Sequence, residues 1–313
     1  MAAIEVEGEH VRRLVWTGSA AASLILATCL PLAAWQDEFK PLPVEQSLRG
    51  WQVDPAAVRR VGIQDGSLAL EGDSRWVVTD AAYADFVLRF EANAQPGAQG
   101  GVLIRAAKGT AAFSGYEVTI ADQERRAGRL LRRLPSTVSA LLPSQTLLPA
   151  GTGWHSFEIV CRENVITVAI DGATVLKARG LLQNIGQIGF RAHSGRLAIR
   201  HVQLAEIPIP EAEVPPGVLK ADLPGVVLPR LTKSERPRYT SRALELGAQG
   251  TVWIACVVRH DGKLTDLRVV RSVMPELDAE ALKAVRRWRF EPGTSAGKPV
   301  DVQVTIEMSF TLK

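Results

Sequence analysis

The sequence predicts a mainly β protein of two domains, a β-sandwich followed by a small α+β module. Three observations predict it. Between Phe39 and Ile207, short stretches mixing apolar and polar positions follow one another, punctuated by Gly, Pro and Ser. Between Ile207 and Arg230 the composition turns proline-dense. After Pro229 a helical period appears among the strands. At 313 residues the chain is long enough for two such domains.

The first domain, over 36–207, is built from strand-length runs. Phe86-Val-Leu-Arg-Phe-Glu, Gly101-Val-Leu-Ile-Arg, Tyr116-Glu-Val-Thr-Ile and His155-Ser-Phe-Glu-Ile-Val-Cys are four of them. Asn164-Val-Ile-Thr-Val-Ala-Ile, Asp171-Gly172 and Ala173-Thr-Val-Leu-Lys read as a hairpin. Asp-Gly supplies the positive φ values of a tight turn there. Gly186-Gln-Ile-Gly-Phe-Arg and Leu197-Ala-Ile-Arg-His-Val-Gln-Leu complete the series. Short strands at this spacing make a sandwich or barrel.

Pro208, Pro210, Pro215, Pro216, Pro224 and Pro229 then mark an extended spacer over 208–228. The last domain, 229–313, reads as α-β-β-α-β. Ser241 to Leu246 predicts a short helix and Gly250-Thr-Val-Trp-Ile-Ala-Cys-Val-Val a strand. His260-Asp261-Gly262-Lys263 predicts a turn, and Leu264 to Arg271 a second strand. From Pro275 to Trp288, Leu277, Ala281, Leu282, Val285 and Trp288 share one helical face. Val300 to Leu312 alternates as a long final strand.

The composition excludes some classes. A net charge of +4 with acidic and basic residues interspersed gives no nucleic-acid footprint. The one dense basic cluster is Arg125, Arg126, Arg129, Arg132 and Arg133. Of the three cysteines, Cys161 and Cys256 lie in apolar strands of different domains and read as buried free thiols. No zinc spacing is present, and no cofactor is expected from the residues themselves.

At the N-terminus, Arg12-Arg13 precede an uncharged run from Leu14 to Trp35. Residues 1–35 read either as a secretory signal cleaved after Ala33 or Ala34, or as a retained inner-membrane anchor. Glu5, Glu7 and Glu9 tilt toward the anchor. Either reading places the remainder in the periplasm.

Several segments after Pro229 resemble the TonB C-terminal domain family. Pro237-Arg-Tyr239-Thr-Ser-Arg-Ala243 looks like its opening, with Thr240 where a second proline is usual. Gly247-Ala-Gln-Gly250-Thr-Val looks like the entry to its first strand, and Asp261-Gly262 like its hairpin turn. Leu277 to Val285, then Trp288-Arg-Phe290-Glu-Pro292, match its helix and W-x-F-x-P segment. The resemblance implies a partner: an extended peptide such as the N-terminal segment of an outer-membrane TonB-dependent receptor. A three-stranded sheet with an open edge suits strand addition. The family's anchor histidine has no counterpart in Leu14 to Ala34, and two dozen spacer residues reach about 80 Å at most. Docking rather than energy coupling follows. His260 lies in the turn and reads as a solvated residue.

The stretch 36–207 resembles the 3-keto-disaccharide hydrolase family, which has a concanavalin-like jelly roll. Leu48-Arg-Gly50-Trp51, Asp65-Gly66-Ser-Leu68 and Tyr83-Ala-Asp85-Phe86-Val-Leu-Arg-Phe-Glu carry the resemblance. Gly101 to Arg105, Gly115-Tyr116-Glu117-Val, Trp154 to Ile159 and Gly186 to His193 extend it. It implies Glu117, His193 and Asp122 as acid/base residues, with Arg105 and Trp154 contacting a sugar. It also implies a site that admits a divalent metal. Ala192 replaces the usual Asp before His193, which weakens chemistry more than binding. Two readings therefore stand: a carbohydrate-binding jelly roll joined to a docking module, and a hydrolase or lyase on 3-keto-disaccharides. A structural ion pair between Arg105 and Glu117 is the bland alternative for those two residues.

Overall fold

The computed structural model describes residues 39–107, 114–121, 127–134, 137–142, 153–208 and 212–312. The N-terminal segment 1–35 lies outside the described residues, as does Asp122. No described helix is long and apolar enough to cross a membrane. The described residues fall into two compact units, one up to residue 208 and one from 212.

The first unit is a two-sheet antiparallel sandwich. In chain order it runs β1 (Lys40–Pro41), β2 (Trp51–Val53), β3 (Val61–Gln64), β4 (Ser67–Glu71) and β5 (Val77–Thr79). Then come β6 (Phe86–Ala94), β7 (Gln99–Ala106), β8 (Gly115–Ala121), β9 (Leu130–Leu134) and β10 (Thr137–Leu142). It closes with β11 (His155–Arg162), β12 (Val165–Ile170), β13 (Ala173–Arg179), β14 (Gln187–Ser194) and β15 (Arg196–Glu206). One sheet has the order β13-β12-β11-β6-β15-β4-β3, with β1 also on β15. The other has the order β10-β9-β8-β7-β14-β5-β2.

Strand alternation builds the core between the sheets. Phe86, Leu88 and Phe90 of β6 and Phe157, Ile159 and Cys161 of β11 face it from one side. Val102 and Ile104 of β7, Tyr116, Val118 and Ile120 of β8, and Ile188 and Phe190 of β14 face it from the other. Phe90 stacks on Phe157 at 5.0 Å and meets the edge of Phe190 at 5.1 Å, tying one sheet to the other. Tyr116 reaches the core's end, where its hydroxyl accepts a 2.6 Å hydrogen bond from the Leu182 amide. Burial pushes the Cys161 thiol up to about 11, so it is an inert core residue.

The second unit has β16 (Leu219–Lys220), β17 (Val226–Val227), β18 (Arg230–Lys233), α1 (Ser241–Glu245), β19 (Gly250–Val258), β20 (Leu264–Arg271) and α2 (Pro275–Val285). It ends with β21 (Arg289–Glu291), β22 (Gly293–Ser295), β23 (Lys298–Val300) and β24 (Val302–Phe310). Thr240 caps α1 by accepting from the Ala243 amide at 3.2 Å. Pro275 opens α2, and the Asp278 carboxylate accepts from the Val273 amide at 3.1 Å. Gly262 sits at φ 79°, and a Cβ there would lie 2.0 Å from the Phe290 carbonyl oxygen. The turn and the Trp288–Phe290 segment are thereby packed on each other, and Trp288 donates its indole N–H to the Glu235 carbonyl at 2.9 Å.

Two expectations are corrected here. The central sheet has four strands, not three, in the order β16-β24-β19-β20. The fourth comes from the stretch read as a spacer over 208–228. Within it, β16 pairs with β24 and β17 pairs with β22. Leu219, Val226 and Val227 are not prolines, so they keep the amides a ladder requires.

Candidate functional site

The outer face of the sheet carrying β14 holds the candidate site. Tyr116 and Val118 point into the core, so Glu117 between them points outward. A small apolar cluster of Trp76, Val78, Leu103 and Ala106 covers part of this face. Glu117 is nevertheless wholly buried, and its Oε1 lies 2.7 Å from His193 Nε2. His193 keeps 28% of its side chain exposed. Glu117 is on β8 and His193 on β14, with β7 between them. Gly101 of β7 makes the crossing possible. A Cβ there would lie 2.7 Å from Glu117 Oε1 and 2.8 Å from its Cγ.

Three neighbours complete this corner. Trp76 meets the His193 ring edge-on at 6.1 Å. The Arg191 guanidinium lies 5.8 Å from the Trp76 ring centroid and bonds Asp73 at 2.5 Å. Burial pushes the Asp73 carboxyl up, but the Arg191 hydrogen bond and charge outweigh it and hold it below its ordinary value. With Glu117 ionised, its carboxylate only accepts, so Nε2 of His193 would donate to it and a neutral ring would carry its basic lone pair on Nδ1. The arrangement can orient an imidazole for proton transfer beside an indole surface suited to a sugar. Two such donors fall short of the set a divalent ion takes. Among the described residues no three His, Cys, Asp or Glu side chains cluster closely enough to share a metal ion.

The structure does not bring Arg105 or Trp154 to this corner, and Asp122 lies outside the described residues. Arg105 is wholly buried and bonds Asp85 at 3.0 Å, not Glu117. It also donates to the carbonyls of Ala84 at 3.1 Å, Glu163 at 2.6 Å and Gln183 at 3.1 Å. Its backbone has φ 50°, and the register of β7 on β14 shifts between Gln187 and Gly189. This bulge turns Arg105 away from the face it would otherwise share with Leu103. Arg105 therefore braces the sandwich interior rather than reaching a ligand. Trp154 precedes β11, in the opposite sheet, and Arg200 stacks 3.9 Å over its ring. Arg200 also bonds Glu91 at 2.7 Å. Trp154 thus belongs to a different surface from Glu117 and His193.

Sequence reading missed Trp76, Arg191, Asp73 and Gly101. Gly101 carried a signal, since a glycine inside a strand marks a close approach. Arg191, two residues before His193, shares its face by alternation.

In the C-terminal unit the candidate surface is the edge of β24. β24 pairs along its whole length with β19, from Val302↔Val258 to Phe310↔Gly250. On its other side β16 pairs in parallel at Val302 and Gln303. No other strand among the described residues pairs with that side. His260 at the nearby turn is bound to Asp301 through both its amide, at 2.7 Å, and its Nδ1, at 3.0 Å.

The described residues thus form a two-sheet jelly-roll sandwich and a small α+β domain. The chain belongs to the 3-keto-alpha-glucoside-1,2-lyase-like domain family, whose profile matches residues 38–205. Residues 235–312 match the Gram-negative bacterial TonB protein C-terminal family and form a TonB C-terminal domain. Among curated proteins, the chain is 33% identical over 82 residues to Protein TonB of Pseudomonas aeruginosa, covering 26% of this chain and 24% of that protein. It is 29% identical over 84 residues to Protein TonB of Escherichia coli K12, covering 26% of this chain and 35% of that protein. The chain thus spans about a quarter to a third of the length of these relatives. Among solved structures, it is similar to carbohydrate binding module CBM66 from Bacillus subtilis, with 14% identity and TM-score 0.44 over 50% of this chain and 96% of that one. It is also similar to a Bacillus licheniformis β-glucanase, with 11% identity and TM-score 0.41 over 54% of this chain and 97% of that one.

Proposed function

We propose that this is a cell-envelope protein whose C-terminal domain captures an extended receptor peptide while its jelly roll holds a carbohydrate. The observation that carries the docking reading is the side of β24 along Val304–Phe310, where no described strand pairs. A strand edge offers its main-chain groups to an incoming peptide, and alternate side chains select it. The chain would work in the periplasm, held by residues 1–35 at the inner membrane or released by their cleavage. The partner would be the N-terminal segment of a TonB-dependent receptor. Titrating the chain with such synthetic peptides tests this. Saturable binding with shifts in the amides of β24 is expected. Absence of binding at high micromolar concentration would overturn it.

The contact between Glu117 and His193 favours a second reading, acid/base chemistry on a sugar bearing a 3-keto group. In this reading Glu117 fixes the ring and Nδ1 takes the proton from the carbon between the ketone and C1. The C–H electron pair passes through the enolate into a C1–C2 double bond as the glycosidic C1–O bond breaks, and the departing oxygen takes up a proton. Incubation with 3-keto-glycosides, with and without divalent metals, tests it. Turnover that disappears in His193→Ala is expected. Inertness of the native chain under both conditions leaves sugar binding alone.

A further inference from the structure

We propose that residues 212–220 form a resident strap that competes with an incoming peptide for the head of the β24 edge. The inference rests on the docking reading and concerns how that edge is regulated.

The strap is held at three places. Its Ala212 carbonyl accepts from Gln303 Nε2 at 2.9 Å. Its Glu213 carbonyl accepts from the Arg268 guanidinium at 3.2 Å. Gln303 is on β24 and Arg268 on β20, and β19 runs between them. Val257 pairs with Gln303 and Ala255 with Arg268, so these four residues share one face of the sheet. The strap therefore crosses that face, where Ala255 and Val257 are buried. Pro215-Pro216-Gly217-Val218 then turns the chain. The Val218 amide donates to the Pro215 carbonyl at 3.2 Å, with Gly217 at φ 79°. Proline followed by glycine is the signature of a type II turn. It delivers Leu219 and Lys220 to the edge, parallel to β24 and opposite Val302 and Gln303. The Leu219 amide donates to the Asp301 carbonyl at 2.9 Å.

The third hold is the one a peptide would replace. It is a two-residue ladder, and prolines upstream cannot extend it. The edge thus has two states. With the strap docked, a peptide can add only along Val304–Phe310. With Leu219 and Lys220 lifted, the edge is available from Val302 onward. The apparent dissociation constant of a peptide using the whole edge is its intrinsic value divided by the fraction of chains with the strap lifted. The strap also defines direction, since it already lies parallel to β24 and a parallel peptide would replace it bond for bond.

The test uses the full chain and a synthetic peptide copied from the N-terminal segment of a TonB-dependent receptor. Leu219→Pro removes the amide that bonds Asp301. Gln303→Ala, a milder second variant, removes the side-chain anchor at Ala212. Both are expected to bind the peptide about tenfold more tightly, the size expected for roughly one net hydrogen bond of competition. In the native chain, peptide addition is expected to speed hydrogen exchange at Leu219. Equal or weaker affinity in the folded variants, with native binding intact, overturns the strap inference alone. Absence of binding in native and variant chains alike overturns the docking reading and the strap with it.

Discussion

Arg105 and Glu117 are buried on adjacent strands of one sheet, and the pairs they form with Asp85 and His193 have opposite characters. Arg105 and Asp85 are enclosed, with 0% and 7% of their side chains exposed. Each guanidinium nitrogen of Arg105 is bonded, to four acceptors in all, three of them backbone carbonyls from separate loops. Glu117 and His193 form a pair closed at one end and open at the other. A buried charge whose every nitrogen is bonded within the fold is a brace. A buried charge that steadies a partly exposed imidazole is a tool. The distinction lies in where the second partner ends, not in the burial of the first.

Breaking the brace is expected to have the largest effect. Asp85→Ala leaves the Arg105 charge uncompensated in the interior and should cost about 3–5 kcal/mol in urea denaturation. Next is Gly101→Val, whose side chain occupies the space of the Glu117 carboxylate. It should cost about 1–3 kcal/mol as overpacking, and it should also abolish whatever ligand binding or turnover the native chain shows. Glu117→Gln sharpens the contrast further. Its volume is unchanged, so stability should fall by only about 1–2 kcal/mol, while any His193-dependent turnover should fall about a hundredfold. An equal loss of stability in Asp85→Ala and Glu117→Gln would erase the distinction between brace and tool. The smallest effect is at Asp73. Its carboxyl titrates below its unfolded value, so the stability it contributes is present above about pH 4 and lost as pH falls through the lower folded value. Asp73→Asn should flatten that acid limb slightly in thermal melts taken from pH 5 to 2, with little change at pH 7.

The difference in character was only half legible in the sequence. The alternation of Tyr116, Glu117 and Val118 says which way Glu117 faces. The same count from Leu103 puts Arg105 on the outer face, and it fails. Leu103 and Ala106 share the outer cluster at an odd separation, because the bulge at Arg105 inserts one residue. No residue type announces that bulge. Trp154 failed for another reason, since alternation fixes a face but not a sheet. The TonB C-terminal domain was easier to read. Its turn at Asp261-Gly262, helix from Pro275 and Trp288–Phe290 segment are local and carry their own chemistry. What was hidden there was the use of the proline-dense stretch, where two non-proline dipeptides join sheets.

The position of β15 in its sheet has a consequence for biogenesis. The last strand of the sandwich to leave the ribosome lies between β6 and β4 and also receives β1. Until residues 196–206 emerge, β4 and β6 lack their shared neighbour, and Phe90 and Phe157 sit in half a sheet. Pairings this distant in sequence form slowly and late. A chain of this design cannot complete its sandwich until residues 196–206 are available to pair. A stop codon placed before Arg196 should yield an aggregating product rather than a smaller domain.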